Sequence, residues 1–274
     1  MDCATAFQLI ARECLAKMDA QRLGTIAGDA EALHQMRVAI SQFRAAVAFF
    51  APMTSDATMA KRESELEWVY AILGDARDAD VMAALIRRKR YRKWAQQVGA
   101  RDPKERDRLY RLVVACMRSA RFQRLTGALS RWVERGPWLT RQDQDAQRRK
   151  EMLLTTSRQP KLKRWHASLV RKGRGLASMG DKSRHRFRLK GKRYRYVLES
   201  LSAICPPSDR AQLRRLQQPM KDLQRALGDL RDLQRLRHIG TSPSRPPGYR
   251  KHKKELLAEA REAFRDIKQT PPIL

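Results

Sequence analysis

The stretch LHQMRVAISQFR, from Leu33 to Arg44, has the spacing of an amphipathic helix, yet it carries a histidine and two arginines within an apolar run. At about 100° per residue, the polar residues share an arc of roughly 80°, and the apolar residues share a similar arc centred roughly 120° away. The polar face consists of His34, Arg37, Ser41 and Arg44. The segment is therefore predicted to be a helix with a basic stripe beside its core-facing stripe.

A second stretch, RHRFRLKGKRYRYVLESL from Arg184 to Leu201, repeats this arrangement. His185 follows His34 by 151 positions, and Arg188 follows Arg37 by the same interval. The second basic face consists of His185, Arg188, Lys192 and Arg195, with Tyr196 at its border. Further on, LGDARD at 73–78 recurs as LGDLRD at 227–232, 154 positions later. A duplicated helical unit is the simplest explanation of both repeats.

Helical periodicity extends over nearly the whole sequence, and no run shows the sustained alternation of a β-strand. The predicted fold class is all-α, built from antiparallel helix bundles. We expect a single domain over residues 1–274, with a first half at about 4–135, a linker at about 136–160 and a second half at about 161–268.

The charge of the chain indicates an anionic partner. The sequence holds 59 Lys and Arg against 29 Asp and Glu, a net charge of +30, and self-repulsion from such an excess opposes folding. Arginine outnumbers lysine, which favours phosphate among anions because a guanidinium binds oxygens in pairs. Genome composition accounts for the arginine bias equally well.

Other features narrow the class of protein. Four scattered cysteines without a C-x-x-C pair argue against a zinc site and a disulfide framework, and they are typical of a reducing compartment. The longest apolar run, AAVAFFAPM, is too short to span a bilayer. We expect a cytoplasmic protein with no membrane span, no metal site and no cofactor.

Two interpretations of the basic stripes compete. Charges on a helix usually form a solvated surface with salt bridges. Here acidic partners three or four positions away are almost absent, with Glu31 as the main candidate, and the pattern occurs twice at matched offsets. We therefore favour a shared anion-binding surface, on which an imidazole close to a polyanion would gain a proton.

The LGDxRD repeats are typical of helix boundaries. Gly74 and Gly228 suit a helix C-terminus, and the aspartates that follow suit the first turn of the next helix. Asp29 is the expected cap of the first His/Arg helix, and Asp181 or Ser183 that of the second. The run RRKRYRKW at 87–94 combines basic and aromatic residues, which is one pattern of single-stranded nucleic-acid binding, although a solvated basic face explains it better.

These repeated motifs resemble the CHAD family, the conserved histidine α-helical domain. HQMRVAISQFR supplies His34, Arg37 and Arg44 of the family pattern, whereas Ser41 and Gln42 stand where the family usually has basic residues. HRFRLKGKRYRY supplies the second set: His185, Arg188, Lys192, Arg193, Arg195 and Tyr196. The resemblance covers residues 5–268, nearly the whole chain, and includes both LGDxRD motifs.

The resemblance implies two four-helix bundles related by a pseudo-twofold axis, with the His/Arg helices lining a central basic cavity. It also implies inorganic polyphosphate as the ligand, held by the residues of the two motifs without catalysis. Some members of the family localise to polyphosphate-containing storage granules, so the resemblance implies this location as an option.

Two alternative functions stay open. The first is a basic helical protein that binds nucleic acid, supported by the charge and by RRKRYRKW, although no recognised DNA-binding motif is present. The second is an enzyme that cleaves phosphoanhydrides. That chemistry requires a metal clamp or a nucleophile with an adjacent base, whereas the stripes offer only hydrogen-bond donors, so we expect no catalytic residues.

Overall fold

The chain is almost entirely helical in the computed structural model, which describes residues 1–98, 103–239 and 245–270. Within these ranges the helices are α1 (Cys3–Ile26), α2 (Ala30–Phe49), α3 (Ala51–Thr54), α4 (Ala57–Arg87), α5 (Lys89–Gln97), α6 (Pro103–Arg118), α7 (Ala120–Arg135), α8 (Pro137–Thr140), α9 (Gln144–Glu151), α10 (Leu154–Gly173), α11 (Asp181–Ile204), α12 (Pro207–Leu236) and α13 (Tyr249–Gln269). The described ranges contain no β-strand, which confirms the all-α fold class. The pseudo-twofold relation and the central cavity stay predictions.

The chain divides into two compact units, which we describe separately. The first unit contains Met1–Arg77 and Glu105–Lys161, and the second contains Asp78–Lys104 and Leu162–Leu274. Residues 136–160, expected to be a linker, contain α8, α9 and the first residues of α10, and they belong to the first unit. The division between the units falls within α4, so this helix contributes residues to both.

Aromatic side chains form the centre of the first unit, where α1 packs along α2. Phe7 is fully buried, and its ring meets that of Trp138 edge-on at 5.2 Å between centroids. The indole nitrogen of Trp138 donates to the carbonyl oxygen of Trp132 at 2.9 Å, so its one polar atom is satisfied inside the core.

In the second unit, α12 packs against both α11 and α13. One core cluster joins the end of α4 and all of α5 to these later helices. Its members include Leu85, Tyr91, Trp94, Leu230, Leu233, Leu236, Tyr249 and Leu256. Both aromatic residues of RRKRYRKW are thus core residues, and its basic residues are left exposed on the outside of α5.

The two His/Arg helices, α2 and α11, begin in different ways. The Asp29 carboxylate accepts a hydrogen bond from the backbone N–H of Glu31 at 2.8 Å, which confirms the expected cap of α2. Gly180 occupies the cap position of α11, and no side chain caps that helix. The Asp181 carboxylate instead accepts from Arg184 at 3.0 Å and from Gln234 at 2.6 Å, so the cap expected at Asp181 or Ser183 is wrong.

The LGDxRD repeats do not mark helix boundaries. α4 continues through Gly74 to Arg87, and α12 continues through Gly228 to Leu236. The expectation of a helix end at each glycine is therefore wrong. Both glycines lie in helix interiors, where glycine costs about 1 kcal/mol relative to alanine, so another constraint must favour them.

Two leucines of the first unit give a test of its packing. Leu33 is completely buried and Leu23 is 76% exposed. We expect Leu33→Ala to lower the free energy of unfolding by about 2–5 kcal/mol, because it removes buried methyl groups and leaves a cavity. The matched Leu23→Ala change should stay within about 0.5 kcal/mol of the parent. Urea unfolding followed by circular dichroism measures both, and equal losses would contradict the described burial.

Candidate functional site

The guanidinium of Arg37 lies across the backbone of α4. Its Nη1 donates to the carbonyl oxygen of Tyr70 at 2.8 Å, and its central carbon is 4.1 Å from the centroid of the Tyr70 ring. A Cβ atom on Gly74 would lie only 3.0 Å from Nη1 of Arg37. The absence of a side chain at Gly74 therefore makes room for this arginine.

Arg188 likewise lies over a glycine of α12 in the second unit, but at a longer distance. A Cβ atom on Gly228 would lie 3.7 Å from its Nη2 and 3.8 Å from its Nε. Gln224, which precedes Gly228 by one helical turn as Tyr70 precedes Gly74, donates from Nε2 to the carbonyl oxygen of Arg188 at 3.1 Å. In each unit, the arginine of the His/Arg helix thus packs over the glycine of the LGDxRD motif.

We call His34, Arg37, Ser41 and Arg44 the first stripe, and His185, Arg188, Lys192 and Arg195 the second stripe. All eight side chains are half-buried. Ser41 is turned towards its own helix, because its hydroxyl donates to the Arg37 carbonyl oxygen at 2.8 Å. The first stripe thus has a hydroxyl occupied by the backbone where the second stripe has the ammonium of Lys192.

Acidic partners are more numerous than the sequence pattern indicated. Arg44 donates from Nε to Glu63 at 2.7 Å and from Nη2 to Glu67 at 2.9 Å, both on α4. Arg195 pairs with Glu199, four positions further along α11, at 2.6 Å. The expectation that acidic partners three or four positions away are almost absent is therefore wrong at Arg195. Arg44 has its partners on another helix, and the charges of both arginines are partly neutralised.

A pocket of about 280 Å³ opens beside the N-terminal part of α11 in the second unit. We call it the His185 pocket. It is lined by Asp181, Lys182, Arg184, His185, Arg188, Leu227, Arg231 and Gln234. Its only carboxylate, that of Asp181, is already bonded to Arg184 and Gln234. The lining of the pocket therefore carries more positive than negative charge and is rich in hydrogen-bond donors, of which Arg184 is bonded to Asp181 and to the Met179 carbonyl oxygen.

The pKa of His185 is lowered from its ordinary value by burial first, and then by the charges of Arg231 and Arg188. The carboxylate of Asp78, on α4, opposes this shift. The lowered pKa of His185 favours the neutral imidazole in the free protein. An anion in the pocket would offset the two arginines and raise the pKa of His185, so that binding would be coupled to proton uptake.

The buried ring of Tyr196 packs against two cations of the second stripe. It is 2% exposed, and its ring lies 4.6 Å from the guanidinium carbon of Arg195 and 5.4 Å from Nζ of Lys192. Its face is covered by these two cations. Among the expected site residues, Tyr196 therefore positions charged groups and has almost no surface of its own.

Arg193 belongs to a different group of cations. It is exposed, and one helical position turns it about 100° away from Lys192. The pKa of Lys190 is lowered by burial, by Lys172 and Arg171, and also by Arg193. The structure thus does not bring Arg193 to the His185 pocket.

Sequence reasoning missed three cations of the pocket: Lys182, Arg184 and Arg231. The position of Arg231 in the repeated motif LGDLRD is the signal in the sequence that could have found it. Asp78, from the first LGDxRD motif, accepts from Arg235 at 2.8 Å and lies 3.8 Å from Arg231. Burial raises the pKa of Asp232, against the opposing charges of Arg188, Arg235 and Arg231.

Two further findings concern the residues that the structure describes. No group of three or more His, Cys, Asp or Glu side chains among them could hold a metal ion. No helix in those ranges combines the length and apolar character that crossing a bilayer requires.

Comparison with known families finds a match over most of the chain. The family model described as the CHAD domain matches residues 9–240. No curated protein sequence matches the chain significantly.

Solved structures show a similar fold. The crystal structure of the CHAD domain from the plant Ricinus communis is 22% identical, with a TM-score of 0.72, and the match covers 100% of this chain and 94% of that one. PptA from Streptomyces chartreusis is 14% identical, with a TM-score of 0.59 and coverage of 98% of this chain and 99% of that one. At these identities the likeness concerns the fold alone.

The two arginine–glycine contacts differ in tightness, which leads to a prediction. Gly228→Ala should stabilise the protein by roughly 0.5–1 kcal/mol, because its Cβ would make an ordinary contact with Arg188 while the helix gains propensity. Gly74→Ala should gain less, because Arg37 must shift away from the Tyr70 carbonyl to which it is bonded. Urea unfolding of the two variants checks this, and equal gains would contradict the tighter contact at Gly74.

Proposed function

The chain belongs to the CHAD domain family, and from that premise we propose that it binds inorganic polyphosphate without catalysing a reaction. The observation that carries the proposal is the His185 pocket, in which Lys182, Arg184, His185, Arg188 and Arg231 face one carboxylate. The proposed contacts are those of the first and second stripes together with these pocket residues. Arg37, held over Gly74, is the main proposed contact of the first unit, because Arg44 is paired with two carboxylates and Ser41 is bonded to its own helix.

Phosphate suits this arrangement better than other anions. Guanidinium groups bind the oxygens of a tetrahedral anion in pairs, and they stay charged at every physiological pH. A pocket with several such donors and an open side accepts a flexible chain of linked phosphates. Each neutralised phosphate releases counterions, so the affinity should fall steeply with salt.

Burial of the aromatic residues argues against nucleic acid as the ligand. Single-stranded nucleic acids are bound largely by stacking of bases on exposed rings. Tyr91 and Trp94 lie in the core, and Tyr194 and Tyr196 of the second His/Arg helix are 1% and 2% exposed. The features that supported the nucleic-acid alternative thus supply charge but no stacking surface. Polyphosphate has no bases and requires none.

The proposal contains no catalytic step, because the pocket side chains are donors and its carboxylate is engaged. Release of free phosphate from polyphosphate in the presence of Mg²⁺ is the direct test, and none is expected. The central channel and attachment to polyphosphate-containing granules, both implied by the family, stay predictions.

Reversing the charge of the two glycine-packed arginines tests the site. The double change Arg37→Glu and Arg188→Glu should weaken polyphosphate binding by at least about 100-fold, because each replaces a charged donor by a repelling carboxylate. Helical circular dichroism should be retained. Titration of a fluorescently labelled long polyphosphate measures the affinity.

The matched control is Arg214→Glu with Arg215→Glu, which changes the net charge equally at two exposed positions of α12. Only a small loss is expected there, and an equal loss would mean that net charge alone attracts the ligand. Competition with single-stranded DNA at equal phosphate concentration separates the two ligands. Displacement of polyphosphate by the DNA would contradict the proposed specificity.

Binding should strengthen as the pH falls from about 8 to about 6, because the bound phosphate favours protonated His185. The gain should level off below the lowered pKa of His185, where the free protein is already protonated. His34→Ala with His185→Ala should therefore cost more affinity at pH 6 than at pH 8. Long chains serve as the probe because their internal phosphates do not titrate in this range. Equal losses at both pH values would contradict an imidazolium donor.

A further inference from the structure

The C-terminal helix α13 separates its charges onto opposite sides. Its carboxylates at Glu255, Glu259 and Glu262 are engaged: they pair with His252 at 3.4 Å, with Arg225 at 3.8 Å and with Arg265 at 3.5 Å, respectively. The other side carries Arg250, Lys253, Lys254 and Arg261 within an arc of roughly 100°. This basic side lies outside both stripes and is not used by the proposed contacts.

These four cations line one groove. The groove has a volume of about 310 Å³, and its floor is apolar, formed by Leu257 and Ala258 of α13 and by Ala177 of the α10–α11 connection. No carboxylate lines it. Within the described ranges, none of the four cations has an ion pair or a hydrogen bond. We call this feature the α13 groove.

Unpaired like charges around a shared groove repel one another, and an anion that enters removes this repulsion. The apolar floor displaces water from one side of such an anion and strengthens its attraction to the cations. Arg250 and Arg261 are separated by eleven positions, or about 16 Å along the helix. One phosphate cannot span that distance, so the groove fits an extended polyanion.

The α13 groove lies close to the His185 pocket in the same unit. Ala177 lines the groove and Asp181 lines the pocket. Three residues lie between these two positions, so their Cα atoms are four steps along the chain and at most about 14 Å apart. A flexible anionic chain that fills the pocket can therefore continue over the α10–α11 connection into the groove.

We propose that the α13 groove is a second anion-binding site, which holds the outer part of a polyphosphate chain whose nearer part occupies the His185 pocket. This inference rests on the proposed function and adds a dependence on chain length. A chain too short to cross the connection uses the pocket alone, whereas a long chain uses both sites.

The test measures the affinities of tripolyphosphate and of a long polyphosphate for the double variant Lys253→Gln with Lys254→Gln and for the parent protein. For the long chain, we expect about a tenfold loss of affinity and a salt dependence that is shallower by about one unit of slope per lost contact. For tripolyphosphate, the affinity should stay within about twofold of the parent. Isothermal titration at several salt concentrations gives both quantities, and circular dichroism verifies the fold.

The control variant, Lys163→Gln with Lys221→Gln, removes two exposed charges of the same unit that line neither the pocket nor the groove. It should leave both affinities nearly unchanged. The inference would be wrong if the control variant lost as much long-chain affinity as the groove variant. It would also be wrong if the groove variant lost as much affinity for tripolyphosphate as for the long chain, or lost no affinity for the long chain. A fourth result would contradict it as well: Lys253→Gln with Lys254→Gln loses affinity for single-stranded DNA but keeps its affinity for long polyphosphate.

Failure of the proposed function has a separate signature. If Arg37→Glu with Arg188→Glu leaves tripolyphosphate and long-chain affinities unchanged, the pocket is not the binding site, whatever the groove variant does. If that variant loses both affinities and the groove variant loses neither, the proposed function stands and the inference is wrong.

Discussion

Close packing of an arginine over a glycine in the middle of a helix is the constraint on which the two basic stripes depend. Arg37 lies over Gly74, and Arg188 lies over Gly228. A side chain at Gly74 would push the guanidinium of Arg37 away from the Tyr70 carbonyl oxygen to which it is bonded, whereas a Cβ atom on Gly228 would meet Arg188 at an ordinary contact distance. The cost of a glycine inside a helix is offset by an arginine that is ordered before any ligand arrives.

Periodicity was sufficient to predict the helices and the basic stripe on each His/Arg helix, because an amphipathic pattern reports directly which face meets the core. It was insufficient for the LGDxRD repeats. Glycine and aspartate are the usual residues of helix ends, yet in α4 and α12 contacts with a neighbouring helix override that preference. Glu63 and Glu67 could not be foreseen as partners of Arg44, because they come from another helix. Glu199 could have been, since it follows Arg195 by four positions.

The two stripes differ in the number of their cations and in the partners of these cations. In the first, Arg44 is held by two carboxylates and Ser41 is bonded to its own helix. The second combines Arg188 and Lys192 with the additional cations of the His185 pocket. The two similar motifs thus differ in positive charge, and the second unit supplies most of the positive electrostatic potential. The α13 groove extends this imbalance, since it belongs to the same unit.

The division of α4 between the two units has a consequence for synthesis on the ribosome. Leu85, Tyr91 and Trp94 emerge early, but the leucines of α12 and the tyrosine of α13 that cover them are translated more than a hundred residues later. The nascent chain therefore carries an uncovered apolar segment through much of its elongation, and this segment is interspersed with the basic residues Arg87, Arg88, Lys89, Arg90, Arg92 and Lys93. Those charges keep neighbouring nascent chains apart and serve as gatekeepers against aggregation until the second unit closes.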